Sequence, residues 1–120
     1  METPRDKPYK LEERTALFGE TVIAFAKRIP LTQVTRSLID QLVRSGTSIG
    51  ANFCEADDSE SKKDFMHKIR LCRKESHESK HWLRMVAAAE PELKADARKL
   101  WQETKELNLI FGAILRGPKK

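Results

Sequence analysis

The sequence predicts an all-α fold, an up-down-up-down antiparallel four-helix bundle. Three observations point there. Only five Pro and five Gly punctuate 120 residues, too few for a loop-rich or all-β chain. Charged residues make up 34% and the hydrophobic set 39%, the balance of long helices with solvated faces around one modest core. Apolar and small residues recur at alternating spacings of three and four in four consecutive segments, and no segment alternates with period two.

Residues 1–9, with Pro4 and Pro8, read as a disordered lead-in. The first helix is expected at about 10–29, on Leu11, Thr15, Phe18, Val22, Phe25 and Ile29, and Pro30 stops it. The second is expected at about 33–56, with Thr32 as N-cap and Leu38, Leu42, Ser45, Ile49, Asn52 and Ala56 on one face. Gly46 and Gly50 fall inside it, each costing roughly 1 kcal/mol relative to Ala. They lie four apart on one face, so a close helix–helix contact is expected to offset that cost; the alternative is a break in the helix. The third is expected at 62–89, after the polar break Asp57-Asp58-Ser59-Glu60. Its core stripe is Phe65, Ile69, Cys72, Ser76, Ser79, Leu83 and Val86, and Ser61 with Asp64 forms a capping box in which Asp stands for the usual Glu. The fourth is expected at 91–115, with Pro91 in its first turn and Leu93, Ala97, Leu100, Thr104, Leu107, Phe111 and Ile114 inward. Gly117-Pro118 ends it, leaving a basic tail at 117–120.

No apolar run approaches the ~20 residues of a membrane span, and METPRDKPYK lacks the pattern of a signal peptide, so no membrane partner is expected. Two cysteines, Cys54 and Cys72, give neither a disulfide framework nor zinc spacing, which suits a reducing cytoplasm. The net charge of +5 permits an acidic partner without requiring one.

Several stretches carry a resemblance. SGTSIGANFCEA (Ser45 to Ala56), SKKDFMHKI (Ser61 to Ile69), KESHESKHWL (Lys74 to Leu83) and the closing ETKELNLIFGAIL resemble the four-helix bundle protein family, also called the 23S rRNA intervening-sequence protein family. The likeness covers about residues 10–116, with Asn52/Glu55 and Trp82-Leu83 its more specific matches. It implies a bundle assembled as a ring, a homopentamer, and a bacterial source, many members being encoded within bacterial rRNA genes. A related branch serves diversity-generating retroelements as an accessory that binds nucleic acid and a reverse transcriptase. The resemblance fixes fold better than function.

The third helix divides by angle, at about 100° per residue. Taking Cys72 as zero, Lys63, Arg70, Lys74, His77, His81 and Arg84 gather at about 120–200°, opposite the core stripe. They form a basic face expected to track phosphates, and Lys119 and Lys120 are candidate additions. The plainer alternative is a solvated charged face. Leu71, Glu75, Glu78, Trp82 and Met85 fall at about 220–300°. Leu71, Trp82 and Met85 together read as an oligomer interface; the alternative is that a wide core stripe absorbs Trp82. No aromatic RNA-binding signature is visible, so contact with RNA or DNA is expected to be without strong sequence preference.

His77-Glu78-Ser79-Lys80-His81 matches HExxH, the zinc-protease motif in which two His bind the metal and Glu is general base. Its two His lie on the basic face and no third ligand is signalled, so neither a zinc hydrolase nor any metal is expected. Glu78 and His81 form one Glu-x-x-His pair, but a di-iron bundle needs two. There is no phosphate loop, nucleophile elbow or CxxC, and no catalytic residue or cofactor is assigned. Asn52, Glu55 and Glu78 are read as structural polar groups, with Asn52 bonding across to another helix. The expected function is non-enzymatic: an oligomeric bundle binding nucleic acid or serving a reverse transcriptase, or alternatively a protein-binding structural ring; a zinc hydrolase through HExxH is the remote alternative.

Overall fold

A computed structural model describes residues 8–117, with side chains from residue 10, within extents of 48 × 29 × 22 Å. Four helices follow in order: α1 (Pro8–Ala26), α2 (Thr35–Asp57), α3 (Lys62–Ala89) and α4 (Lys94–Arg116), with a short 3-10 turn at Pro91–Leu93 before α4. No strand occurs among the described residues. Packing is closest between α2 and α3, α3 and α4, and α1 and α2. The α1/α4 seam is the loosest of these and leaves an open groove of about 400 Å³.

The expected stripes form the core. Leu11, Phe18, Val22, Phe25, Ile29, Leu42, Ile49, Phe53, Ile69, Cys72, Leu83, Val86, Leu107 and Phe111 are buried. Several boundaries differ from expectation. The first helix begins at Pro8, because proline's fixed φ and missing N–H suit a first helical turn. It leaves α geometry at Ala26, where Arg28 and Ile29 donate to carbonyls three residues back, since Ile29 precedes Pro30 and cannot settle in α conformation. The fourth segment opens with the 3-10 turn, so its α-helix starts at Lys94.

The Thr32 cap is present, although regular α2 begins three residues later. Thr32 Oγ1 accepts from the Val34 and Thr35 N–H groups at 3.2 and 3.0 Å, and Thr35 Oγ1 accepts from Thr32 N–H at 2.8 Å. Buried Thr35 also donates to the Pro30 carbonyl at 2.6 Å, pinning the α1–α2 connection. At α3, Ser61 Oγ accepts from Asp64 N–H at 3.0 Å, as the capping box requires.

The two glycines do not break α2; they let α1 approach. A Cβ at Gly46 would lie 3.0 Å from both Val22 methyl carbons, and one at Gly50 would lie 3.3 Å from the Thr15 carbonyl oxygen. On an adjoining face of the same helix, buried Ser79 of α3 donates to Ser45 Oγ at 2.9 Å. Cys72 donates to the Ile49 carbonyl at 3.5 Å, and burial pushes its thiol up to about 12.

These distances separate two glycines by sign. Gly46→Ala gains helix propensity but presses on Val22, so it is expected to lower unfolding stability by about 1–2 kcal/mol. At Gly112 a Cβ meets only the flexible end of Arg116, at 3.5 Å. Gly112→Ala is therefore expected to raise stability by up to about 1 kcal/mol. Urea unfolding of the two variants checks both signs.

Candidate nucleic-acid interface

The site is built by charge segregation on α3 and α4. Glu75 and Glu78 of α3 turn toward α2, where Arg44 pairs with Glu75 at 3.4 Å and also with Glu78, and Lys68 of α3 pairs with Glu55 of α2. The carboxylates of α4 turn toward α1. Arg14 grips Glu103 through two bonds of 2.8 Å and Glu106 through a third, and Arg28 bonds Asp96 at 2.7 Å. Glu103 raises the Arg14 pKa further, and the hydrogen bond from Arg28 holds the Asp96 carboxyl below its usual range.

With the acids drawn aside, the α3/α4 seam carries cations. One shallow cleft of about 560 Å³ is lined by Arg70, Arg73, Lys74, His77, Asn108 and Leu115. Asn108 Nδ2 crosses from α4 to the Arg73 carbonyl and Ser76 Oγ, both at 3.1 Å, and ties the helices there. A second pocket, of about 320 Å³, is lined by Leu83, Arg84, Ala87, Lys94, Ala97, Arg98 and Trp101. Lys80 Nζ lies 4.8 Å and Lys105 Nζ 5.9 Å from the centre of the Trp101 ring, near enough for cation–π attraction. A basic surface thus runs along the seam, with a half-buried indole in it.

Every residue of the expected basic face within the described chain is exposed: Lys63, Arg70, Lys74, His77, His81 and Arg84. Arg70, Lys74 and His77 share one cleft and Arg84 lines the other, whereas Lys63 and His81 line neither. His81 instead meets Trp82 edge-on, ring centres 4.8 Å apart. Lys119 and Lys120 lie outside the described residues. Arg73, Lys80, Lys94, Arg98, Lys105 and Trp101 were missed, though the same 3.6-residue wheel finds the last four. Lys94, Arg98, Trp101 and Lys105 share one stripe of α4, and Asp96, Glu103 and Glu106 fall on the other side.

Other expected sites stand as follows. Leu71, Trp82 and Met85 are all half-buried in the single chain. Trp82 packs against the core, and its Nε1 is buried without a hydrogen-bond partner. The most exposed large apolar residues are Leu17, Leu31, Val34 and Leu109, with Ile23 less so. The expectation that Asn52 bonds across to another helix needs correction. Its amide donates to the Ser48 carbonyl of its own helix at 2.9 Å, because an i−4 carbonyl is the nearest acceptor to a short side chain on a helix. The buried cross-helix polar contact is Ser45–Ser79 instead. Glu55 is exposed, and links α2 to α3 through Lys68.

His77 and His81 are exposed on α3, and no group of three or more His, Cys, Asp or Glu side chains gathers in metal-binding geometry among the described residues. No described helix is long and apolar enough to cross a membrane.

Comparison with known proteins agrees with this architecture. The family described as 23S rRNA-intervening sequence protein matches residues 9–112. A solved structure from Bacteroides thetaiotaomicron VPI-5482, described as a protein of unknown function from the S23 ribosomal protein family, superposes with a TM-score of 0.82. It is 26% identical, over 91% of this chain and 97% of that one. No curated relative matches. The bundle and the extent of the match define the class: the chain belongs to the 23S rRNA-intervening sequence protein family.

The exposed His pair generates one prediction. Lys74, Arg70 and Arg84 beside the two imidazoles repel a dication, and no third ligand joins the pair among the described residues, so the purified protein is expected to hold well under one zinc per chain. Elemental analysis checks this; stoichiometric zinc that is lost in His77→Ala contradicts it.

Proposed function

We propose that the protein is a non-enzymatic homo-oligomer, a pentamer, that binds RNA or DNA with little sequence preference through the α3/α4 cations. The single observation carrying this reading is the sorting of charge: carboxylates face α1 and α2, while Arg70, Arg73, Lys74, Lys80, Arg84, Lys94, Arg98 and Lys105 share the α3/α4 side. Cations without interspersed acids attract phosphates and release their counterions. Phosphate contacts position a nucleic acid without reading its bases. Family membership supports the setting, since the family takes its name from sequences inserted in 23S rRNA. The protein partner in keeping with the resemblance is a reverse transcriptase. A reducing cytoplasm suits the two free cysteines.

The test is electrostatic. If about four phosphates are contacted, affinity falls roughly a hundredfold between about 50 and 200 mM salt. Arg70→Glu with Lys74→Glu, and separately Arg98→Glu, are expected to weaken binding to all sequences alike. Exposed Lys27, just past the end of α1 and in the lining of neither cleft, supplies the control reversal. Lys94 cannot serve, because it lines the pocket with Arg84. Equal effects at Lys27 and Arg98 contradict a localised site, and no binding at low salt favours a protein-binding ring.

Assembly is tested separately. A ring repeats each subunit's cations and turns a weak surface into a multivalent one. Leu71, Trp82 and Met85 remain the proposed contact. Trp82 also packs on its own core, so Met85→Glu is the cleaner probe. Light scattering is expected to give a pentamer for the wild type and smaller species for Met85→Glu; a monomeric wild type contradicts the assembly.

A further inference from the structure

The pocket at the Lys94 end of the α3/α4 seam differs in kind from the cleft beside it. Its floor is apolar, made by Leu83, Ala87, Ala97 and Trp101, and its cations stand around the rim, with Arg84 on α3 and Lys94 and Arg98 on α4. No carboxylate lines it. A volume of about 320 Å³ lies at the small end of ligand pockets, which run from about 300 to 1,000 Å³. An apolar floor under a phosphate-seeking rim calls for a ligand with one flat, poorly hydrated part and anionic groups on either side.

We propose that this pocket takes one unpaired nucleotide of a single-stranded nucleic acid, the base against Trp101 and the apolar floor, the flanking phosphates among Arg84, Lys94 and Arg98. This rests on the basic-face reading above and adds a preference to it. A duplex keeps its bases stacked on one another and can offer this surface only phosphates. A single strand can turn a base out onto an aromatic wall, a contact that every base can make. The indole is prepared for that role: it is half-buried and held by Lys80, whose ammonium lies 4.8 Å from the ring centre. The cations of the neighbouring cleft, Arg70, Arg73 and Lys74, continue the track for the rest of the strand.

The chain has two tryptophans, so Trp82→Phe leaves Trp101 as the only reporter. The Trp82 Nε1 has no acceptor to lose within the chain, and because Trp82 also stands in the proposed ring contact, light scattering first checks that Trp82→Phe keeps the wild-type assembly. In it, a twelve-nucleotide oligo-thymidylate is expected to quench Trp101 fluorescence and to bind roughly tenfold tighter than a duplex of equal phosphate number, the gain of one stacked base. Ala87→Phe fills the pocket from its α3 wall and is expected to remove both the quench and the tenfold preference for the strand. Equal affinity for strand and duplex with no quench, measurable without any pocket variant, overturns the proposal and leaves the basic-face reading standing. Binding of neither at low salt overturns both. Thymidine monophosphate binding as tightly as the oligomer overturns the assignment to a strand.

Discussion

The architecture hangs on the absence of side-chain volume along α2. Gly46 and Gly50 admit α1 until Val22 and Thr15 touch the helix, and Ser45 on the adjoining face meets Ser79 of α3. Larger residues at these points would push both neighbours outward. Because α2 is fixed to two helices within a span of six residues, the rotation of α3 about its own axis is fixed as well. Ser79 and Cys72 must face α2, which carries Glu75 and Glu78 to Arg44 and sends Arg73, Lys80 and Arg84 toward α4. The cation-lined face is a consequence of how a small-residue seam packs.

The α1/α4 seam completes the sorting from the other side. Few close approaches join these helices, and two arginines bridge them instead. Partly exposed ion pairs contribute modestly to stability. Their effect on the field is larger, because Glu103, Glu106 and Asp96 are neutralised on the side away from the α3 cations. The molecule therefore carries a moderate net charge of +5, with eight of its 23 lysines and arginines along one seam.

Much of the fold was legible in the sequence. Period and punctuation located all four helices, the stripes matched most of the buried residues though not Phe53, and the Ser61 and Thr32 caps followed from local chemistry. The departures are local. Pro8 looked like lead-in because proline is read as a breaker, yet in a first turn it is compatible with helix. Asn52 looked like a cross-helix anchor because its spacing placed it near the core, but spacing does not reveal which acceptor is closest. Half of the candidate site was legible: a wheel drawn on α3 alone finds Arg70, Lys74, His77 and Arg84. Lys94, Arg98, Trp101 and Lys105 emerge only when α4 is drawn beside it, and which edge of α3 meets α4 is a tertiary fact. That Trp82 packs on the core, and that Leu17 and Leu109 are more exposed than it, likewise depends on how neighbouring helices cover each face.

The proposed function requires nucleic acid to lie along the α3/α4 seam. Lysine footprinting tests it most directly, with acetylation of each lysine measured with and without a bound twelve-nucleotide strand. Lys74, Lys80, Lys94 and Lys105 are expected to be protected together, while Lys27 and Lys62 stay reactive. Protection spread evenly over all lysines, or confined to Lys27 and Lys62, would contradict the claim.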